Sequence, residues 1–204
     1  TPDRELVLKH LERMQSSASR MQQLINDLLS YSRITGPIEP FESVDINTVI
    51  NTVCLDLKFS IDQHKATFQI DELPTVSANT SQMHQLFQNL ISNAIKFHEP
   101  NRSPFIKISV TSISGKELNA MNVNLLTERT YWKIDVADNG IGFSNDYLDK
   151  IFLIFQRLHG RSEYEGTGIG LSICKKICEQ HRGDLSASGI EGEGATFSIF
   201  LPKD

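Results

Sequence analysis

In the stretch NLISNAIKF (89–97), Asn89, Asn93 and Lys96 recur at i, i+4 and i+7, which is one face of a helix, with apolar residues on the other side. Two amides and an ammonium on one stripe can hold a hydrated Mg²⁺ and the phosphates it chelates, because Mg²⁺ takes hard oxygen ligands and keeps several waters. Taken alone, the stripe reads first as an ordinary solvated face. In DVADNGIGF (135–143) a strand-like run ends in Asp138, and Gly140 and Gly142 follow. A carboxylate at that place can accept a hydrogen bond from an exocyclic amine such as adenine's, while the glycines let the backbone approach a ring. A plain tight turn would use the same residues. In IFLIFQRLHG (151–160), Phe152 and Phe155 are expected to anchor a short helix in the core, which leaves Arg157 to find a partner such as phosphate. Finally, EYEGTGIGLS (163–172) spaces Gly166, Gly168 and Gly170 into the start of a helix, where free N–H groups complement an anion. The preceding RLHGRSEYE is polar and has no strand character, so a dinucleotide fold, whose glycines follow a buried strand, does not fit. RSEYE reads instead as a cover over a bound nucleotide.

The chain of 204 residues, 39% hydrophobic, is long enough for one good core and an appendage. Its net charge of -5 and lack of a basic run argue against nucleic acid as a partner. No apolar stretch approaches the roughly 18 residues of a membrane span. The first segment, through residue 34, reads as a long helix, with Thr1 as its cap, Pro2 at the first helical position and Asp3 in the first turn. Val7, Leu11, Met14, Ala18, Met21, Ile25 and Leu28 alternate in steps of four and three, the seam of a coiled coil or bundle. Such a face needs another helix or another chain. TGPIEPF (35–41) breaks it. Helices are expected over 46–65, 80–97 (capped by Thr80 or Ser81), 144–158 and 168–182. Strands are expected at 66–71, 105–114 and 131–138, with GDLSASGI and GATFSIFLP as a closing pair. GKELNAMNVNLLTER reads as a polar hairpin connection. This order implies a mixed sheet covered by helices on one face. Cys174 and Cys178, at i and i+4, read as buried residues beside Ile173 and Ile177 rather than as a metal clamp, since nothing completes a zinc set; with Cys54 they suit a reduced compartment.

Together, in this order and at this spacing, the four stretches resemble the N, first glycine, phenylalanine and second glycine boxes of the sensor histidine kinases of two-component systems. GEGATFSI (192–199) is similar to the family's terminal glycine-containing segment. The resemblance covers nearly the whole chain. It implies an α+β fold: a two-layer α/β sandwich of the Bergerat type, preceded by one long coiled-coil-like helix. Residues 1–34 would be the second helix of the dimerisation and histidine-phosphotransfer hairpin, 35–45 a linker with a first short strand, and 46–204 the catalytic ATP-binding domain. By the same resemblance Asn93 is the Mg²⁺ ligand, with Asn89 one turn earlier. Lys96 contacts phosphate, and Phe97 lies beside the nucleotide. Asp138 binds the adenine amine, with Gly140, Ile141 and Gly142 shaping the pocket. Arg157 reaches the γ-phosphate, Gly166, Gly168 and Gly170 form the lid hinge and helix start, Leu171 lines the base pocket, and Thr196 lies near the adenine. ATP and Mg²⁺ are the implied cofactors. The implied partners are a phosphoacceptor helix of the same or a partner chain, in a homodimer of the full-length protein, and a response-regulator receiver domain. A cytoplasmic location is implied, with the parent either soluble or membrane-anchored and no membrane contact by this segment.

Related ATPases such as DNA gyrase place a glutamate one turn before the metal-binding asparagine, where it can activate water. Asn89 stands there in this chain, and an amide has no useful basicity, which favours transfer to a histidine over hydrolysis. Nothing resembles the family's H-box, and His10, His64, His84, His98, His159 and His181 read as structural or solvent-facing. The expectation is therefore a fragment without its phosphoacceptor. The competing readings are a degenerate, nucleotide-binding scaffold and, behind it, a water-activating ATPase of the same superfamily.

Overall fold

The computed structural model describes residues 2–34, 40–121, 123, 125–148, 150–156 and 166–203. Helix α1 (Pro2–Ile34) leads into strand β1 (Glu42–Asp45), helices α2 (Ile46–Asp56) and α3 (Lys58–His64), and strands β2 (Thr67–Ile70) and β3 (Thr75–Ala78). Then come α4 (Thr80–Lys96), β4 (Phe105–Ser114), α5 (Gly115–Ala120), β5 (Thr130–Asp138), a 3₁₀ turn at Asn145–Tyr147, α6 (Gly170–Gln180), β6 (Asp184–Ile190) and β7 (Gly194–Pro202). Five strands form one sheet in the order β2-β4-β5-β7-β6, and β1 and β3 form a separate antiparallel pair. In the large sheet β2 runs parallel to β4, while β4, β5, β7 and β6 are antiparallel neighbours.

Strand alternation and helix periodicity meet in one core. Ile134 and Val136 of β5, Ile106 and Ile108 of β4 and Ile199 of β7 point to the face covered by α4 and α6. On α4, Met83, Leu86, Phe87, Leu90, Ile91, Ala94 and Ile95 are all buried, and each fully buried side chain of this kind contributes about 1.5–3 kcal/mol. α6 adds Ile173, Cys174, Ile177 and Cys178. Burial pushes the Cys174 thiol up to about 12, so both cysteines act as small apolar groups. The opposite parity of β5 places Tyr131 in a second cluster with Phe200, Leu118 and Val123, and α5 therefore covers part of the other face.

Several elements differ from the sequence expectations. The helix expected over 46–65 breaks at Leu57 into α2 and α3. α4 is capped by Asn79, whose side chain accepts from the Gln82 N–H, in place of Thr80 or Ser81. Asn79 is fixed in turn by its own N–H, which donates to His181 Nε2 at 3.1 Å. The connection after β4 starts a short helix because Ser114 and Glu117 form a reciprocal capping box. β3 was not expected. The helix expected over 144–158 does not form: after the 3₁₀ turn the described residues run through turns, Phe155 has φ +66°, and its N–H donates to Gly168 O at 3.0 Å. Phe152 packs against the core, but Phe155 is 59% exposed. Thr1 and the side chains of Pro2 and Asp3 lie outside the described residues.

Candidate functional site

The site grows from the polar side of α4. Burying Leu86, Leu90 and Ile91 against the sheet and α6 leaves Asn89, Asn93 and Lys96 half-buried on the facing stripe. Three segments converge on it in order along the helix. Asn89 Nδ2 donates to the carbonyl of Gly170, the first residue of α6, at 3.4 Å. One turn further, the Asn93 amide makes no hydrogen bond to a described residue. Lys96 Nζ lies 3.9 Å from the centroid of the Phe97 ring and close to Gly166, where an added Cβ would stand 3.1 Å from it. Past the C-terminus, the Phe97 carbonyl accepts from the Ile141 N–H at 2.9 Å.

That last contact docks the turn after β5. A Cβ on Gly140 would lie 2.3 Å from the Phe97 carbonyl oxygen, so only glycine lets the two backbones meet. At Gly142 the constraint is double: φ is +62°, and a Cβ would lie 1.9 Å from the Ile190 carbonyl oxygen. The Ile141 carbonyl accepts from the Gly192 N–H at 2.8 Å, which joins the turn to the β6–β7 connection. Asp138 ends β5 between these segments. Its Oδ1 accepts from the Gly140 N–H at 2.8 Å and the Ala195 N–H at 3.3 Å, and its Oδ2 has no hydrogen bond to a described residue. Burial raises the Asp138 carboxyl above the usual carboxylate range, opposed by those two N–H bonds and by the charge of Arg102. Thr196 sits on β7 opposite Ala137, one residue from Asp138.

The start of α6 has no side-chain cap, so the cap residue Ile169 supplies no acceptor to its first N–H groups, and Gly170 there lies beside Asn89 of α4. Leu171, half-buried, packs against the core on the same turn. The proposed members of the site thus come together in two groups: Asn89, Asn93, Lys96, Gly166 and Gly170 along α4, and Phe97, Asp138, Gly140, Ile141, Gly142 and Thr196 at its end. Arg157 lies outside the described residues.

Two contacts of the site have no counterpart in the sequence pattern. Arg102 bonds the carbonyls of Gly140 and Gly192. Thr167, inside the glycine run, donates to Asp27 Oδ2 of α1 at 2.5 Å. An arginine in a polar loop and a threonine between glycines carry no periodic signal, and both contacts depend on residues distant in the chain.

The histidine kinase-, DNA gyrase B-, and HSP90-like ATPase family matches residues 78–204, which include the whole of this constellation. The chain belongs to that family. Within it, the likeness is to phytochromes and sensor kinases: cyanobacterial phytochrome A of Nostoc is 41% identical over 90% of this chain, and the sensor protein kinase WalK of Staphylococcus saprophyticus is 32% identical over 98%. The chain spans 22% of the first of these proteins and 31% of the second. Among solved structures, full-length ShkA in complex with AMPPNP matches with a TM-score of 0.71 at 23% identity, over 95% of this chain and 38% of that one. Histidine kinase ThkA in complex with the response regulator TrrA matches with a TM-score of 0.68 at 22% identity, over 96% and 51%. Both show the shared fold. The chain thus carries the ATPase domain of this family, with α1 at its front. No helix among the described residues is long and apolar enough to cross a membrane.

Proposed function

We propose that this kinase domain binds Mg²⁺·ATP between the α4 stripe, the Asp138 turn and the start of α6, and passes the γ-phosphate to a histidine supplied from outside these residues. The observation that carries the reading is the convergence, along one face of α4 and at its end, of an amide with no side-chain partner among the described residues, an ammonium, a helix start without a side-chain cap and a half-buried carboxylate. Asp138 Oδ2 accepts from the adenine amine while the Gly140–Gly142 turn and Thr196 border the base. Lys96 and the α6 N–H groups bind phosphate oxygens, with Arg157 reaching the terminal one. The donor set suits Mg²⁺: one amide oxygen, from Asn93, leaves room for waters and phosphate oxygens, as that ion requires. When bound, Mg²⁺ would neutralise charge on the transferring phosphate.

Asn89 decides between transfer and hydrolysis. Its amide spans to Gly170 and cannot take a proton from water. A neutral imidazole needs only positioning and charge neutralisation to accept the phosphoryl group. In the same reading, residues 1–34 are the second helix of a phosphotransfer hairpin, 35–45 the linker with its first short strand, and 46–204 the catalytic unit. The exposed face of α1 pairs with a phosphoacceptor helix within a homodimer, a response-regulator receiver takes the phosphate, and the work is done in the cytoplasm. Calorimetric titration with ADP, with and without Mg²⁺, tests the site. Asp138→Asn is expected to weaken ADP by about tenfold or more, the worth of a hydrogen bond to a charged group. Unchanged affinity would remove adenine from this position. Sustained phosphate release by the parent chain, at the rate of a working ATPase, would favour hydrolysis instead.

A further inference from the structure

Arg102 lies in the loop between α4 and β4, beside the base pocket. One guanidinium nitrogen, Nη2, donates to the Gly140 carbonyl at 2.9 Å and to the Gly192 carbonyl at 3.0 Å. Glu99, three residues earlier, stands 3.8 Å from the same nitrogen and helps to aim it. The Arg102 Nε is buried and has no partner among the described residues, so holding an arginine here carries a desolvation penalty. The two carbonyls belong to the two turns that grip Asp138. Gly140 donates its N–H to Asp138 Oδ1 while its carbonyl is held by Arg102, so this residue is fixed on both sides. The β6–β7 connection carries Gly192 and, just inside β7, Ala195, the second donor to Asp138 Oδ1. Beside the backbone bond from Gly192 to Ile141 and the Asp138 carboxylate itself, Arg102 bridges these turns from outside.

We propose that Arg102 is a positioning residue of the base pocket: by pinning the Gly140 turn to the Gly192 turn, it orients the Asp138 carboxylate toward the adenine amine. The proposal rests on the ATP reading above and adds a residue to it. Two neutral peptide carbonyls are held by one cationic donor, and charge-assisted bonds of this kind are the stronger ones. Its positive charge also acts on Asp138 in the direction that keeps the carboxylate ionised. Without the guanidinium, the turns keep their glycines but lose the side chain that sets their spacing.

A double-mutant cycle on ADP affinity tests this, using the full chain with Arg102→Met, Asp138→Asn and the pair. Arg102→Met alone should weaken ADP by about tenfold. In the Asp138→Asn background it should weaken ADP by no more than about twofold, because the carboxylate it serves is gone. Arg102→Lys, which keeps a cationic donor, should recover part of the loss. If Arg102→Met is too unstable to titrate, Arg102→Gln, neutral and still polar, takes its place in the cycle with the same expectation. Parental ADP affinity in the neutral variant would overturn the proposal. So would losses that simply multiply in the double variant, since these mark a general structural role. A parent chain that binds no ADP would overturn the ATP reading and this role together. A parent that binds, beside an unaffected Arg102 variant, would overturn only this role.

Discussion

Helices α1 and α4 carry the same kind of apolar stripe and meet opposite fates. On α4 the stripe residues Met83, Leu86 and Phe87 are 0% exposed. On α1, Leu11, Met14, Met21, Ile25 and Leu28 are 51% to 69% exposed, and among the described side chains the last turns are the ones that dock, through Leu24, Tyr31 and Ile34. The difference lies in what is opposite. α4 faces a sheet and α6, so its period is cashed in as core. α1 has the period of a bundle but, among the described residues, core contacts only near its C-terminus. Amphipathic spacing therefore reports which face can be buried, and the neighbours decide whether it is. The polar face shows the same rule in reverse: Asn89, Asn93 and Lys96 stay half-buried where the start of α6 and the turn after β5 meet the helix and its end.

The comparison breaks most directly by truncation. Phe87→Ala is expected to cost about 3–5 kcal/mol, whereas Met14→Ala should change the stability of this chain by less than about 0.5 kcal/mol. Urea unfolding followed by Trp132, the single tryptophan, measures both. Comparable losses would mean that the α1 stripe is buried in solution.

Next in size is a pair of glycines. Gly142→Ala sets a Cβ 1.9 Å from the Ile190 carbonyl oxygen at φ +62°, and should cost about 2 kcal/mol or more together with ADP affinity. Gly170→Ala finds its nearest atoms on the Asn89 amide, at 3.7 Å, in a helical residue, and should be neutral or stabilising by up to about 1 kcal/mol. A destabilised Gly170→Ala would show that the start of α6 needs more than contact space.

His181 gives a pH test of the α4–α6 junction. Its Nδ1–H donates to the Ile177 carbonyl, its Nε2 accepts from Asn79, and its ring stacks on Phe41. Burial lowers its proton affinity below the ordinary 6.5. Between that depressed value and 6.5 the unfolded chain binds a proton that the native state refuses. Stability is therefore complete above 6.5 and falls as pH drops through that window. The urea midpoint should decline from pH 7.5 to 5.5, and His181→Gln should flatten the decline; an unchanged slope would place the titration elsewhere.

The smallest effect concerns the docked end of α1. Thr167→Val removes the bond to Asp27 and should cost about 1 kcal/mol or less, because the pair is only partly buried. Faster hydrogen exchange over residues 21–31, with the α4 amides unchanged, is the expected reading. Unaltered exchange would leave that end of α1 to its apolar contacts alone.

Much of this was legible in the order of residues. The stripes of α1 and α4, the alternation of β4, β5 and β7, and the spacing of Asn93, Asp138 and the glycines are local patterns, set by helix and strand periods and by the backbone freedom of glycine. They were enough to point to the family. Other features needed the fold. Asn79 caps α4 because His181, 102 residues away, holds its backbone. The run expected as a helix before residue 158 gives way to turns where Phe155 bonds Gly168. Arg102 bridges two turns that are 52 residues apart in sequence and meet only where β5 and β7 pair at one end of the sheet. Sequence period fixes what each segment can bury or expose. Which distant backbone groups it meets is decided only when the sheet closes and brings their unsatisfied donors and acceptors together.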